Sequence, residues 1–522
     1  MIIARTNVIA ILFTENILLT VLHIIQLFSD NKIGDNVIYL TNDYEINRLK
    51  FKDDFRDCSD FLLKEIEIGE RRAFVCVMDG LIDSLQLGQM IAEPLLTADM
   101  SLCDEPEPLE IIKKRLVQCA EQNEAATFDD AYYFLMSGFA VLVVEGCARA
   151  LVFGIQGWTR RDTSEPKTEA NVKGAKECFV ESINDNKALL RKRLKTSHLK
   201  QKQLKLGKAA KTPVAICYLD DRADMNAVNE IEKRLNEANF NTVLDYGEVL
   251  AFIGTKRKSF FTTVGNTERP DVLASKLLEG RVAVMIEGTP FVIYTPYLFS
   301  DNFSASDDYD NPPFFASFMW ILRYFSFLIS LFLPGVFVAV DTFHQELIPI
   351  NLLYLIATNE ATTPFSLMTE AILVHLLYEI MREGGLRLPE SVGHAVSIIG
   401  AIVIGDAAVS AGVIGAPMLI VVAVTAVSSY VVYPLYESLA VLRILFIIIG
   451  GTTGIYGIML FGGMIFCNIC SLNAYGVSYG SPFSPLTSSS LKDTLIRSSW
   501  KKLAKRRIRL YSLKGANKND RG

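Results

Sequence analysis

"VAVMIEG" at residues 282–288 has a near twin in "VLVVEG" at 141–146. Each is a short run of β-branched and apolar residues that stops on Glu-Gly, where glycine supplies the positive φ of a tight turn. The chain continues as "CARALVFGI" and "TPFVIYTP", so both copies read as β-hairpins. Upstream the echo persists. "FVCVMDGLID" (74–83) matches "AICYLDDRAD" (215–224), setting Cys76 against Cys217, Asp79 against Asp220 and Asp83 against Asp224 at an offset of 141. Glu145 and Glu287 then match at 142, so the register holds within one insertion. Each copy predicts an apolar strand ending in an acidic turn, a helical stretch ("LQLGQMIAEPLL"; "MNAVNEIEKRLNEANF") and the hairpin. The repeated carboxylates read as turn residues, because Asp and Asn bond locally to backbone and no nucleophile or base stands at a catalytic spacing.

Outward from this duplication, the composition divides the chain. Half of the 522 residues are apolar and 21% are charged, but the two classes occupy different regions. Up to about Pro312 the sequence is that of a soluble protein; from Phe314 to about Cys470 it carries apolar runs able to span a bilayer core of roughly 30 Å. The expected fold is therefore an α/β soluble N-terminal region of two related subdomains, followed by an all-α polytopic transmembrane domain. The boundaries drawn are an apolar extension at 1–32, a first α/β subdomain at 33–165 and a basic helical linker at 166–213. A second α/β subdomain follows at 214–312, a transmembrane domain at 313–476 and a basic cytoplasmic tail at 477–522. Glu15 and Asn16 interrupt the first apolar run and no small-residue cleavage site follows it, so 1–32 reads as a packed or interfacial helix and not as a signal sequence.

Residues 186–213 carry Lys187, Arg191, Lys192, Arg193, Lys195, Lys200, Lys202, Lys205, Lys208 and Lys211 with no acidic residue inside the block. A solvated face against an acidic neighbour and a contact with anionic lipid headgroups are the two readings of this block. Nucleic acid is not an expected partner, since the chain is acidic overall and lacks an aromatic binding platform. Nine scattered cysteines are unlike a secreted disulfide framework and place the soluble half in a reducing compartment. "CNIC" at 467–470 has no second pair to close a zinc site. With no Walker loop, zinc-ligand spacing or nucleophile elbow, neither an enzyme nor a bound cofactor or metal is expected.

In the apolar half, 314–340 is a clear span kinked at Pro334-Gly335. An elbow containing Glu346 follows, and then a helix carrying Glu370, His375 and Glu379, the last two sharing a face at i and i+4. Charges there must face protein or water. On the next run, Ile399, Ile402, Val403, Asp406 and Val409 fall on one helical face, while Gly400, Gly405 and Ala408 permit close helix approach. That face is either pore lining or buried packing. A soluble half and a basic tail on the same, cytoplasmic side require an even number of crossings. The stretch from Leu439 to Cys470 should then be a hairpin, with Gly450-Gly451 and Gly462-Gly463 as candidate breaks.

"LLEGRVAVMIEGTPFVIYTP", "VAVDTFHQELIP", "LYEIMREGGLRLPESVGHAVSIIGAIVIGDAAVSAG" and "APMLIVVAVTAVSSYVVYP" resemble the A subunits of the GerA-type spore germinant receptors, and the likeness runs from about residue 33 onward. His375 stands where that family's pattern leads one to expect an acidic residue. The resemblance implies a multi-pass protein of the spore inner membrane that works with a transporter-like, nutrient-binding B subunit and a C-subunit lipoprotein. It implies a homo-oligomeric ring, a pentamer, acting as a nutrient-gated ion channel that releases cations. The face of Ile399, Ile402 and Val403 would be its apolar constriction, and Asp406 would favour cations. A proton-coupled transporter using Glu370, Glu379 and Asp406 is the alternative, and a scaffold for the nutrient-binding subunit is a third.

Overall fold

The computed structural model describes residues 38–69, 71–97, 108–113, 117, 119, 121–157, 166, 168–169, 174–255, 259–388, 405, 407–484 and 494–497. The apolar extension at 1–32 lies outside them, as do Ile399, Ile402, Val403 and Asp406. The chain forms two compact units, one of residues 1–55 and 61–158, the other of 56–60 and 159–522.

In the first unit, helix α1 (Tyr44–Asp54) precedes strands β1 (Phe61–Ile68) and β2 (Arg71–Met78). A helical stretch over 84–97 leads on to β3 (Gln122–Ala125), α2 (Phe128–Leu135), β4 (Phe139–Val144) and β5 (Ala150–Gly154). The sheet order is β1-β2-β4-β5-β3, antiparallel throughout. β2 and β4 are apolar almost residue for residue because both faces are covered. One face packs Val75, Leu142 and Phe153 against Ile91 and Leu95; the other sets Phe74 edge-on to Phe51, which in turn meets Phe128 and Tyr132.

The second unit opens with the same plan. α3 (Ile183–Arg193), β6 (Leu199–Leu206), β7 (Thr212–Leu219), α4 (Met225–Glu237), α5 (Tyr246–Ile253), β8 (Gly265–Thr267), α6 (Pro270–Leu278), β9 (Val282–Ile286) and β10 (Val292–Thr295) follow in order. The sheet order β6-β7-β9-β10-β8 reproduces the first. The register is reproduced too: Cys76 sits opposite Val141, and Cys217 opposite Ala283. The repeated aspartates end as helix caps, Asp83 accepting from the N–H groups of Leu85 and Gln86 and Asp224 from that of Asn226.

The duplication extends further upstream than the sequence reading took it. Buried Asn47 accepts from Thr41 N at 3.0 Å and donates to Thr41 O at 2.6 Å. Buried Asn186 makes the same clasp on Val180, at 2.8 and 2.6 Å. Each asparagine pins the strand-like entry to a helix capped by Asp43 or Ser182.

The expected helical linker at 166–213 is corrected here. Its first half contains α3, which packs against α6, but its second half is β6, the edge strand of the second sheet. "LKQKQLKL" pairs residue for residue with β7, and lysines on an edge strand discourage pairing with another chain. The cations of this block have acidic neighbours: Lys192 and Arg193 pair with Glu177, and Lys202 with Glu232. Arg191, fully buried, forms a two-pronged ion pair with Asp60 at 3.0 Å on each arm.

A long helix, α7 (Pro313–Phe343), leaves the second sheet. Its root is fixed by charge and by rings. Asp308 accepts from Trp320 Nε1 at 2.7 Å and from the guanidinium of Arg323. Asp301 accepts from Arg281 and, at 3.0 Å, from Lys276. Burial alone would raise the Asp301 carboxyl, but these two cations outweigh it and hold it well below the usual carboxylate range. Phe303 stacks on Tyr324 with ring centres 4.0 Å apart.

Then come α8 (Ile350–Glu360), α9 (Leu367–Arg387), α10 (Ala416–Val431) and α11 (Tyr436–Ser471). Among the described residues Pro313–Phe343 and Tyr433–Ser471 are long and apolar enough to cross a membrane, and Ala416–Val431 is a shorter apolar helix. α11 is not one rod. Gly454 has φ 67° and ψ −158°, outside any helix. The rings of Phe446 and Phe461 lie 4.9 Å apart, where a straight helix would separate their Cα atoms by about 22 Å. Ser438 near one end donates to Phe260 O, and Ser259 donates to Asn468 near the other at 2.6 Å. α11 is therefore an antiparallel helical hairpin. The expected turn is present, but the break falls at Gly454 and not at Gly450-Gly451 or Gly462-Gly463. Gly450 instead serves a helix crossing: a Cβ there would lie 2.4 Å from Gly335 O on α7.

The expected tail boundary at 477 is also corrected. A short antiparallel ribbon, Asn473–Ala474 with Val477–Ser478, follows α11 and packs back on the second sheet. Tyr475 OH donates to Ile253 O at 2.7 Å, and Phe299 N to Tyr479 O at 2.8 Å. Tyr479 is buried, within ring-contact distance of Phe261 and Phe299.

Candidate functional site

Three charged groups of the apolar helices, Glu379, Arg382 and Arg443, meet at the sheet-proximal end of α9 and α11. Arg443, 1% exposed, has the least freedom. Guanidinium stays ionised in proteins, and a buried charge is tolerated only with partners. Arg443 finds three: Ser330 O at 3.2 Å and Ser330 Oγ at 3.1 Å on α7, and Glu379 Oε1 at 3.9 Å on α9. Glu379 also accepts from Tyr436 OH at 2.8 Å and from Arg382 Nε at 3.1 Å. The Arg382 guanidinium lies 4.0 Å from the centre of the Tyr436 ring, a cation–π contact. One carboxylate thus balances two guanidiniums and ties three helices together.

One turn before Glu379, His375 is buried and its Nδ1 donates to Ala371 O at 2.9 Å. Only Nδ1 can carry the proton in that bond, because a carbonyl oxygen only accepts. Nε2 is buried with no hydrogen-bond partner. Glu370, also buried, accepts from Gly415 N at 2.8 Å and so holds the first turn of α10. Glu346 is separate from these residues, largely exposed, with His344 at 3.5 Å. Val409, the described member of the 399–409 face, is half-buried on the turn at 408–410.

The sequence reading singled out Glu370, His375 and Glu379 but not Arg443, Ser330 or Tyr436. The available signal was Arg443 itself, which with Glu437 makes up all the charge in α11. Tyr436 and Ser330 carry no pattern of their own. In the soluble part, His198, Asp220 and Asp221 bring ligand atoms within 4.8 Å of one another. Lys200 Nζ lies 3.5 Å from Asp220 Oδ2, so this group reads as a surface ion cluster. The hydrogen bond that His198 donates to the Asp220 carboxylate raises the imidazole above its ordinary value.

Two antiparallel sheets of one plan, joined to apolar helices that enclose paired charge, define a membrane-associated class of protein. Residues 49–508 match the family model described as Bacillus/Clostridium GerA spore germination protein. The chain belongs to that family. It is 36% identical to spore germination protein KA of Bacillus subtilis (strain 168), over 87% of this chain and 84% of that one. It is 34% identical to the uncharacterized membrane protein YfkQ of the same organism, over 89% and 91%. Among solved structures, the N-terminal domain of the A subunit of the Bacillus megaterium spore germinant receptor GerK3 is similar at 31% identity and a TM-score of 0.40, covering 51% of this chain and 98% of that one.

Proposed function

We propose that this chain is the A subunit of a nutrient germinant receptor. It is a multi-pass protein of the spore inner membrane whose copies form a ring around a gated cation path and work beside a transporter-like B subunit and a C-subunit lipoprotein. The observation that carries this reading is the family match, which spans both sheets and the helices alike. The hairpin at Gly454 adds support on topology. α7 leads away from the second sheet, α9 leads back and α10 leads back again, and the two arms of α11 go out and return. If the run at 394–412, an expected span from its sequence, makes one crossing, the count is six. Both the sheets and the residues after Ser471 then lie on the cytoplasmic side. In this reading Ile399, Ile402, Val403, Asp406 and Val409 line the path, nutrient bound to the neighbouring subunit shifts a closed-to-open equilibrium, and the chain carries out no catalysis.

The test is ion conductance across planar bilayers containing the purified oligomer. Cation-selective current is expected; Asp406→Asn should weaken its selectivity and Val403→Ala should raise its resting level. A folded oligomer with no current, alone or with its partner subunits, would refute conduction and leave a scaffold. A second reading, a proton-coupled transporter, takes its support from the carboxylates set within the apolar helices, Glu370 and Glu379. Substrate accumulation in vesicles would select it.

A further inference from the structure

The end of the helical region far from the sheet, where α7 passes to α8 and α9 begins, encloses a small cavity. Phe337, Asn359, Glu360, Glu370, Gly415 and Met418 are among the residues that line it. Glu370 is 1% exposed; its Oε1 takes the Gly415 N–H, and its Oε2 is buried with no hydrogen-bond partner. Glu360 presents a second buried oxygen, Oε1, also without a hydrogen-bond donor. A third acid, Asp341, is 4% exposed on α7 and hydrogen-bonded to Glu360 through its carboxyl group, and Glu370 lies within electrostatic reach of Glu360. Among the described residues no Lys, Arg or His forms an ion pair with any of the three, although Glu379, a few turns along α9, has two guanidiniums to itself.

Carboxylates brought together in apolar surroundings repel one another and lose hydration, so something positive must join them. A proton and an inorganic cation are the two candidates. The Gly415 N–H occupies one oxygen of Glu370 and leaves the other buried without a protein donor. Oxygens from two acidic side chains turned toward one water-sized space, with no thiol or imidazole among the lining residues and Met418 the one thioether, are the ligand type of hard cations. From this geometry we infer that Glu360 and Glu370, backed by Asp341, bind a single hard inorganic cation in the cavity. The inference stands apart from conduction, because a held ion stabilises the fold whether or not a path exists elsewhere.

The experiment is thermal unfolding of the full chain in detergent, titrated with sodium, potassium, calcium or magnesium chloride against choline chloride of equal ionic strength. A saturable rise with one or more of these cations supports the site and assigns it to monovalent or divalent ions. The Glu370→Gln variant keeps the acceptor for Gly415 N–H and should weaken the apparent affinity at least tenfold. Glu360→Gln should act alike and serves if the first variant does not fold. A rise undiminished in a folded variant would place the ion elsewhere and overturn the inference. So would an unfolding temperature that responds to pH but to none of the cations, which would make the neutralising species a proton. If neither variant folds, equilibrium binding of radioactive sodium or calcium to the wild-type chain decides: close to one ion per chain supports the site, and no bound ion overturns it.

Discussion

Replacing Gly335 with alanine tests the crossing of α7 and α11, where the two backbones meet with nothing between them. A Cβ at Gly335 would sit 2.6 Å from Phe446 O and 2.9 Å from Phe446 C, when ordinary contact begins at 3.4 Å. The shortfall is about 0.8 Å, and the obstructing atoms are backbone, so no rotamer change relieves it. Overpacking a tight site costs about 1–3 kcal/mol, and a backbone clash belongs at the upper end. Alanine returns about 1 kcal/mol through helix propensity, leaving a net loss of about 2 kcal/mol, or roughly 30-fold in the folding equilibrium. For a unit of this size that is a fall of about 4 °C in unfolding temperature. Gly463→Ala is the matched control, since a Cβ there meets nothing within 4 Å; propensity alone should raise its unfolding temperature by about 2 °C. Both are read by thermal unfolding in detergent. If the two variants move in the same direction, or if Gly335→Ala equals the wild type, the close crossing is wrong.

Three further outcomes are expected. Glu379→Gln leaves the buried Arg443 charge short of its counter-ion and should cost about 3 kcal/mol, Arg443→Met should cost less because Glu379 keeps Arg382 and Tyr436, and the double variant recovers much of the Glu379→Gln loss; a double variant no more stable than Glu379→Gln, by denaturant unfolding, would deny the pairing. Asp301 is held below its ordinary 3.8 against the pull of burial by Arg281 and Lys276, so its stabilisation is complete above that value and lost as pH falls through the folded one. Asp301→Asn should therefore be less stable than wild type at pH 7, with the gap narrowing as unfolding is measured below pH 3.8. Burial pushes Glu169 up to about 7 from 4.5, although Thr267 Oγ1 donates to it at 2.6 Å. Its sign is the reverse: stability is whole below 4.5 and lost as pH rises toward 7, so Glu169→Gln should equal wild type at pH 4 and exceed it at pH 8 in the same assay.

The paired sheets were legible because Cys76 and Cys217, with the apolar runs around them, keep one spacing to their hairpins. The earlier part of each copy was not. What repeats there is a cap and a buried asparagine, Asn47 and Asn186, at an offset of 139 and not 141. Two polar positions in otherwise different helices give no periodic signal. β6 was hidden by its own lysines, since its leucines and lysines keep no period of 2 and a charged block reads as solvated helix until a partner strand is seen beside it. In the helical region, even-crossing logic called for a hairpin near the end of the chain. It could not say which glycine turns it. Gly450 and Gly454 are alike in sequence, yet one admits a neighbouring backbone and the other reverses the chain. The ion pairs were half legible. Glu379 stood out on a short helix, whereas Arg443 was covered by the apolar run around it.

The ribbon after α11 has a consequence for biosynthesis. Beside the second sheet, Phe261 in the loop before β8 and Phe299 in the turn after β10 are covered by Tyr479, and Tyr475 ties down the end of α5. Those residues leave the ribosome nearly two hundred positions after the segments they cover. A nascent chain halted anywhere before the second arm of α11 carries an uncapped aromatic face, visible to chaperones and proteases. Completion of the α/β subdomain thus waits on the last helix, and a molecule in which that helix fails to form is marked as unfinished by its own sheet-bearing part.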